Sequence, residues 1–195
     1  EGDPYAPGQY GLEYMFGFGW LVGAKKFEWD KREGHNSEEE KKAFEDFVDL
    51  VWRRRDADPG MHVYHYANYE QRALKRLAQQ YGTREWEIDR LLKEGRLVDL
   101  YKVVQRALRF STESLSLKYI EAVYGESHSD EAVATAMESV IQYEAYVALM
   151  EEGKEVEAKR ILEEIREYNE KDCESTWKLD DWLRSLYKAS PEVAG

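Results

Sequence analysis

A single cysteine, Cys173, stands in a chain of 195 residues, so no internal disulfide can form. That scarcity favours a reducing, cytoplasmic setting. With no histidine near it in sequence, Cys173 reads as a small buried filler rather than a nucleophile. No apolar run reaches about 18 residues, the length of a membrane span, and no basic-then-apolar leader opens the chain, so neither a span nor a signal peptide is expected. Internal repeats, linkers and low-complexity tracts are absent as well, which makes one compact domain over residues 1–195 the economical expectation. Basic charge is short: 28 Lys and Arg face 40 Asp and Glu, for a net −12. A total of that sign argues against phosphate binding by charge alone. The deficit is uneven, however, because residues 61–120 carry 11 basic and 7 acidic groups while the segments on either side are acidic. A cationic face is therefore allowed, as is an ordinary solvated helix surface.

What is present fits a folded globular chain. The sequence is 43% hydrophobic and 13% aromatic, enough for a sizeable core. It opens on Glu1 rather than Met, and Glu-Gly-Asp-Pro leaves no room for a preceding element, so it reads as a piece of a longer protein.

Residues 5–11, with Pro7, Gly8 and Gly11, read as a loop. Glu13 to Val22 is aromatic and short enough for a buried strand, and its two glycines mark a close backbone approach or a bulge. Lys26 to Trp29 is the hairpin partner, ended by Gly34 to Asn36. Ser37 with Glu40 has the spacing of a capping box, and Phe44, Phe47, Val48, Val51 and Trp52 give an amphipathic helix to about Arg55. Asp58-Pro59-Gly60 breaks it, and Met61 to Tyr66 reads as a second strand. Helices follow over Tyr69 to Tyr81, stopped by Gly82, and from Thr83 to Gly95. Leu97 to Val104 reads as a strand turning into a helix, and Ser114 to Tyr124 as a helix. The remainder is helical, about Asp130 to Glu152 and Val156 to Tyr187, divided near Gly153 with a kink open at Asn169. Strand, helix, strand points to an α/β layer arrangement with a helix-rich C-terminal half.

Tyr168 and Asp172 are four apart on the last helix and so share a face. Two readings are open for the pair: packing plus a solvated charge, or a phenol and carboxylate turned into one site. Glu1, beside a turn, and Glu70, after the second strand, are carboxylates that could join Asp172. Hard oxygen donors suit Mg²⁺ or Mn²⁺, and two such ions can hold the attacking and leaving oxygens of a phosphodiester in line. Asp3 and Asp99 are further acids near strand ends, open between a metal role and a turn or helix cap. Arg72, Lys75 and Arg76, with Arg84, Arg106, Arg109 and Lys118 beyond them, could meet phosphates; each alone is equally an ordinary surface charge. Tyr64, Tyr66 and Tyr69 are open between stacking on a base and burial. The charges from Lys154 to Glu164 read as a solvated face.

The segment Val63-Tyr64-His65-Tyr66-Ala67-Asn68-Tyr69-Glu70 resembles the second exonuclease motif of the DEDD family, Val-x-His-Asn-Ala-x-Phe-Asp, in the RNase H-like superfamily. Tyr168 with Asp172 resembles the third motif of its DEDDy branch, and Glu1 the Glu of the first motif. The ordered blocks EGDPYAPGQYGLEYMFGFG, VYHYANYEQRALKRLA, GTREWEIDRLL, VDLYKVVQRALR, SLKYIEAVYG and YNEKDCESTWKLDDWL are similar to the RNase H-like domain of RecB-like nuclease and helicase fusion proteins. The resemblance implies a mixed sheet flanked by helices, with its first strand truncated here. It implies a two-metal Mg²⁺ or Mn²⁺ site held by Glu1, Glu70 and Asp172, with Tyr168 orienting the attacking water. A phenol of ordinary pKa near 10 can do this without ionising. His65 matches the motif's histidine and is open between a substrate contact and a satisfied core residue.

Three departures stand out. The family's first Asp falls two residues before Glu1, Tyr66 replaces the motif's Asn, and Glu70 replaces its Asp. The expectation is a metal-dependent 3′-to-5′ exonuclease-like domain acting on single-stranded ends of DNA or RNA. The alternative is an inactive RNase H-like module that positions nucleic acid or the nuclease and helicase domains of the same parent chain.

Overall fold

The computed structural model describes residues 11–23, 26–109, 115–124 and 136–189, the side chains of 136–138 excepted. Glu1, Asp3, the 5–11 loop up to residue 10, and the expected helical start at 130–135 lie outside the described residues. The chain is mixed α/β and mostly helical, in the order β1 (Met15–Val22), β2 (Lys26–Glu33), α1 (Ser37–Ala57), β3 (Val63–His65), α2 (Tyr69–Tyr81), α3 (Glu85–Lys93), β4 (Leu97–Asp99), α4 (Leu100–Ala107), α5 (Leu117–Tyr124), α6 (Ala136–Glu151) and α7 (Glu155–Ala189). Where a mixed sheet is expected, the described residues hold two separate two-stranded sheets, antiparallel β1–β2 and parallel β3–β4. No helix among them is long and apolar enough to cross a membrane. The contacts fall into two compact units, residues 1–43 with 128–173 and residues 44–127 with 174–195, the divisions lying within α1 and α7.

In the first unit the β1–β2 hairpin pairs Met15 with Glu33 through Val22 with Lys26. β2 runs past its expected end at Trp29 because its charged second half is paired: Arg32 bonds Asp30 and lies 5.2 Å from the Phe18 ring centroid. Lys31 sits over Trp29, and Glu33 takes a two-pronged bond from Arg166 at 2.8 and 2.7 Å. Charge-assisted pairs of that geometry are the strong ones. The core gathers Leu12, Tyr143, Tyr146, Ala158, Leu162 and Ile165. Rings dominate one end of it, with Tyr14 stacked on Tyr143 at 3.8 Å and His35 beside Tyr143 and Tyr146.

The start of α1 differs from the capping box expected at Ser37 and Glu40. Asn36 is the cap, its Oδ1 accepting from the N–H groups of Glu38 and Glu39, while Glu39 accepts from the His35 N–H. The box is therefore displaced by one residue. Glu40 turns inward instead, where it is 1% exposed and accepts from the Glu13 N–H, tying the chain before β1 to the helix.

In the second unit, α1 buries Phe44, Val48 and Val51, spaced for one face. Two parallel strands need a crossover, and here α2 and α3 supply it, with β3 and β4 in the register Val63–Leu97, Tyr64–Val98 and His65–Asp99. Gly82 ends α2 in the left-handed region at φ 58° and returns its N–H to Ala78. Arg84 occupies the same region at φ 57°, uncommon for a side chain of its size. It is held there by its fork on Asp49, 2.7 and 2.9 Å, with Thr83 bonding Glu45. Arg84 is thus committed to the fold rather than offered to phosphate. Behind β3 and β4 lies a cluster of Leu100, Val104, Ile120 and Leu179, with Tyr64, Tyr66, Trp182 and Leu183 packed against it.

Candidate functional site

The second-motif residues run along β3 and past its C-terminal end into the first turn of α2. After His65 the backbone turns through Ala67 at φ 67° and enters α2, placing Glu70 in the first helical turn. A carboxylate there is favoured by the helix dipole. Its side chain remains 48% exposed, and Oε2 lies 3.4 Å from His65 Nδ1. His65 is buried, and both ring nitrogens are engaged: Nδ1 with the Ala67 carbonyl at 2.6 Å and Nε2 with the Gln71 amide at 2.9 Å. A carbonyl can only accept, so the network assigns the proton to Nδ1 and leaves Nε2 to accept from Gln71. Of the two readings left open for His65, this geometry favours the satisfied core residue, one that sets the ground beneath Glu70. Gln71 also donates to the Leu97 carbonyl. Its importance is invisible in sequence, since nothing but proximity links it to the β3 histidine.

Tyr66 is drawn away from Glu70's surroundings. Its phenol donates to the Leu115 carbonyl, its ring meets Tyr101 edge-on at 5.7 Å, and burial, with smaller contributions from Tyr101 and Asp99, pushes its pKa up to about 12. A motif Asn offers an amide where this residue offers a packed ring. Asp99 turns out to be a helix cap: Oδ1 accepts from the Tyr101 N–H at 3.1 Å, and Lys102 Nζ lies 3.4 Å from Oδ2. Along α2, Arg72 and Lys75 are exposed and Arg76 is half-buried; Arg106, Arg109 and Lys118 are exposed further on.

Tyr168 and Asp172 belong to the first unit, on α7, which runs as one helix through Asn169. Asp172 is exposed and Tyr168 half-buried. Between them Asn169 fixes the helix to the hairpin. Its Oδ1 accepts from Trp29 Nε1 at 3.2 Å, and a Cβ placed on Gly17 would fall 1.6 Å from that same oxygen. Gly17 is therefore small because Asn169 lies where a side chain would go. The glycines of β1 are the sequence signal of a close approach; nothing in sequence says that the third motif supplies the partner. Cys173, half-buried, donates its thiol to the same oxygen at 3.7 Å.

The donors proposed for a metal are all carboxylate oxygens, the right chemistry for Mg²⁺ or Mn²⁺. Among the described residues, no group of three or more His, Cys, Asp or Glu is placed to hold a metal ion. Glu1 lies outside those residues, and Glu70 and Asp172 belong to different units.

Compared with known proteins, the chain matches the RNase_H_2 family model of the RNase H superfamily over residues 1–184. No curated protein and no solved structure matches it.

Proposed function

Because the chain belongs to the RNase H superfamily, we propose that it is a metal-dependent nuclease domain of the 3′-to-5′ exonuclease type, hydrolysing phosphodiester bonds at single-stranded ends of DNA or RNA. Membership of that superfamily suggests nucleic-acid processing at the coarse level. The finer reading is supported by the motif resemblance of Val63 to Glu70 and of Tyr168 with Asp172, both of which lie within the matched residues 1–184. To Glu1, Glu70 and Asp172 we assign the holding of Mg²⁺ or Mn²⁺. When bound, such ions polarise the phosphodiester and offset its charge.

The remaining roles fall to the chain's own groups. Tyr168 hydrogen-bonds the attacking water and orients it with its proton in place. His65, locked in one tautomer between Ala67 and Gln71, limits where the Glu70 carboxylate can go. Arg72 and Lys75, exposed on α2, with Arg76 beside them, meet phosphates and lend salt-sensitive affinity. The nuclease and helicase domains of a longer parent chain are the partners this reading implies.

A second reading has its own support. Tyr66 replaces an amide-bearing residue and is packed into an apolar cluster, which suits a module that binds or positions nucleic acid without cutting it. Titration with Mn²⁺, followed by the loss of its free electron-spin-resonance signal, distinguishes the two. The nuclease reading expects two bound ions and weaker binding in Asp172→Ala. No bound ion, or binding unchanged in that variant, goes against it.

A further inference from the structure

Within the second unit, the face of the β3–β4 sheet opposite His65 carries a groove of about 600 Å³ between the sheet, α4 and the C-terminal turns of α7. Side chains alternate along a strand, so Tyr64 and Val98 point into this face while His65 and Asp99 point to the other. The floor is apolar, formed by Val98, Leu100 and Leu183. Its sides are flat rings: Tyr64, with His62 at 6.2 Å between centroids, and Tyr187, which is 60% exposed.

Charge is arranged along one stripe of α7, because residues 180, 184 and 188 recur every four positions. Arg184 bonds Asp180 at 2.8 Å, donates to the Tyr64 hydroxyl at 2.6 Å and lies over the Tyr64 ring at 5.7 Å. One turn on, Lys188 is exposed at the rim. Tyr64 stays a neutral phenol, its pKa raised by burial and by Asp180 against the pull of Arg184. It accepts from Arg184, which shares its charge with Asp180, while Lys188 is the cation at the open rim. The groove thus offers flat aromatic surface over an apolar floor, with cations at one side. A purely aliphatic ligand leaves the cations unused, and a free phosphate leaves the rings unused. A nucleobase with its attached phosphate uses both.

We infer that this groove holds one unpaired nucleotide of a single strand, its base against Tyr187 and Tyr64 and its phosphate at Lys188 and Arg184. The inference rests on the reading of the chain as a nucleic-acid-processing protein, and it adds a grip on the strand distinct from the carboxylates. The groove's face is opposite the one that carries His65 beneath Glu70, so it binds a nucleotide other than the one being cut.

The test is binding of a fluorescent twelve-residue oligothymidylate to the chain in EDTA, read by anisotropy, for wild type, Tyr187→Ala and Lys188→Gln. Both side chains are exposed, so folding is preserved, and Lys154→Gln, on an exposed turn before α7, serves as the charge control. Tyr187→Ala is expected to weaken binding by about fivefold or more, the loss of one stacked base. Lys188→Gln is expected to weaken it and to lower the salt slope by about one, with Lys154→Gln unchanged. Wild-type affinity in both groove variants, or no binding by the wild type, overturns the inference. Cleavage with Mg²⁺ reads the carboxylates separately. A chain that binds through the groove yet never cuts defeats the nuclease proposal alone, and one that cuts with groove variants binding normally defeats this inference alone.

Discussion

At the scale of single residues, His35 is a histidine held among aromatic rings. His35 stands among Tyr143 and Tyr146, with Nδ1 3.0 Å from the Tyr143 hydroxyl. Burial lowers its pKa, outweighing the upward pull of Glu33 and Glu39. A group so shifted binds a proton more readily unfolded than folded. Its effect on stability is therefore absent above the unfolded value of about 6.5 and becomes a growing penalty as pH falls from there toward the folded value. Urea denaturation between pH 8 and pH 5 should show stability declining through that window, and His35→Gln should flatten the decline. An unchanged slope in the variant would assign the dependence to other groups. None of this was legible in sequence, because His35 lies in a turn and its ring partners come from a helix more than a hundred residues on.

At the scale of elements, junctions matter more than lengths. Gly34 ends β2 and donates to the Tyr14 carbonyl at 3.0 Å. A Cβ there would fall 2.3 Å from the Glu40 nitrogen and 2.4 Å from the Glu39 carbonyl carbon. Backbone of a helix cannot step aside, so Gly34→Ala should destabilise the chain by about 1–3 kcal/mol, the usual cost of overpacking. A melting temperature equal to wild type would contradict this. Most elements were readable because their apolar residues keep a period: Phe44, Val48 and Val51 on α1, or the change from strand to helix after Asp99. Two features were not readable. The second half of β2, Asp30 to Glu33, has no apolar alternation to mark it as strand, and its partners, Phe18 and Arg166, are remote in sequence. The cap of α1 passes from Ser37 to Asn36 because Glu40 is pulled inward to Glu13.

At the scale of the whole molecule, the candidate site was legible as residue types in order and only partly as geometry. Glu70 and the Tyr168–Asp172 pair are on helices, Glu70 and Asp172 exposed and Tyr168 half-buried. What holds them, Gln71 behind His65 and Asn169 against Gly17 and Trp29, depends on contacts no short motif encodes. Exposed cations are spread over several helices, and α2 and the last turns of α7 are two of the places that carry them. Metal-dependent cleavage through Asp172 is what the proposed nuclease role requires. Its most direct measurement is release of nucleotides from a 5′-labelled single-stranded oligonucleotide with Mg²⁺ or Mn²⁺, by the chain and by Asp172→Ala of matched circular dichroism. A nuclease of this kind should shorten the strand from its 3′ end only with metal present, and at least about 100-fold more slowly in the variant, the scale on which one group at a reacting centre acts; equal cleavage by the two proteins would rule that role out.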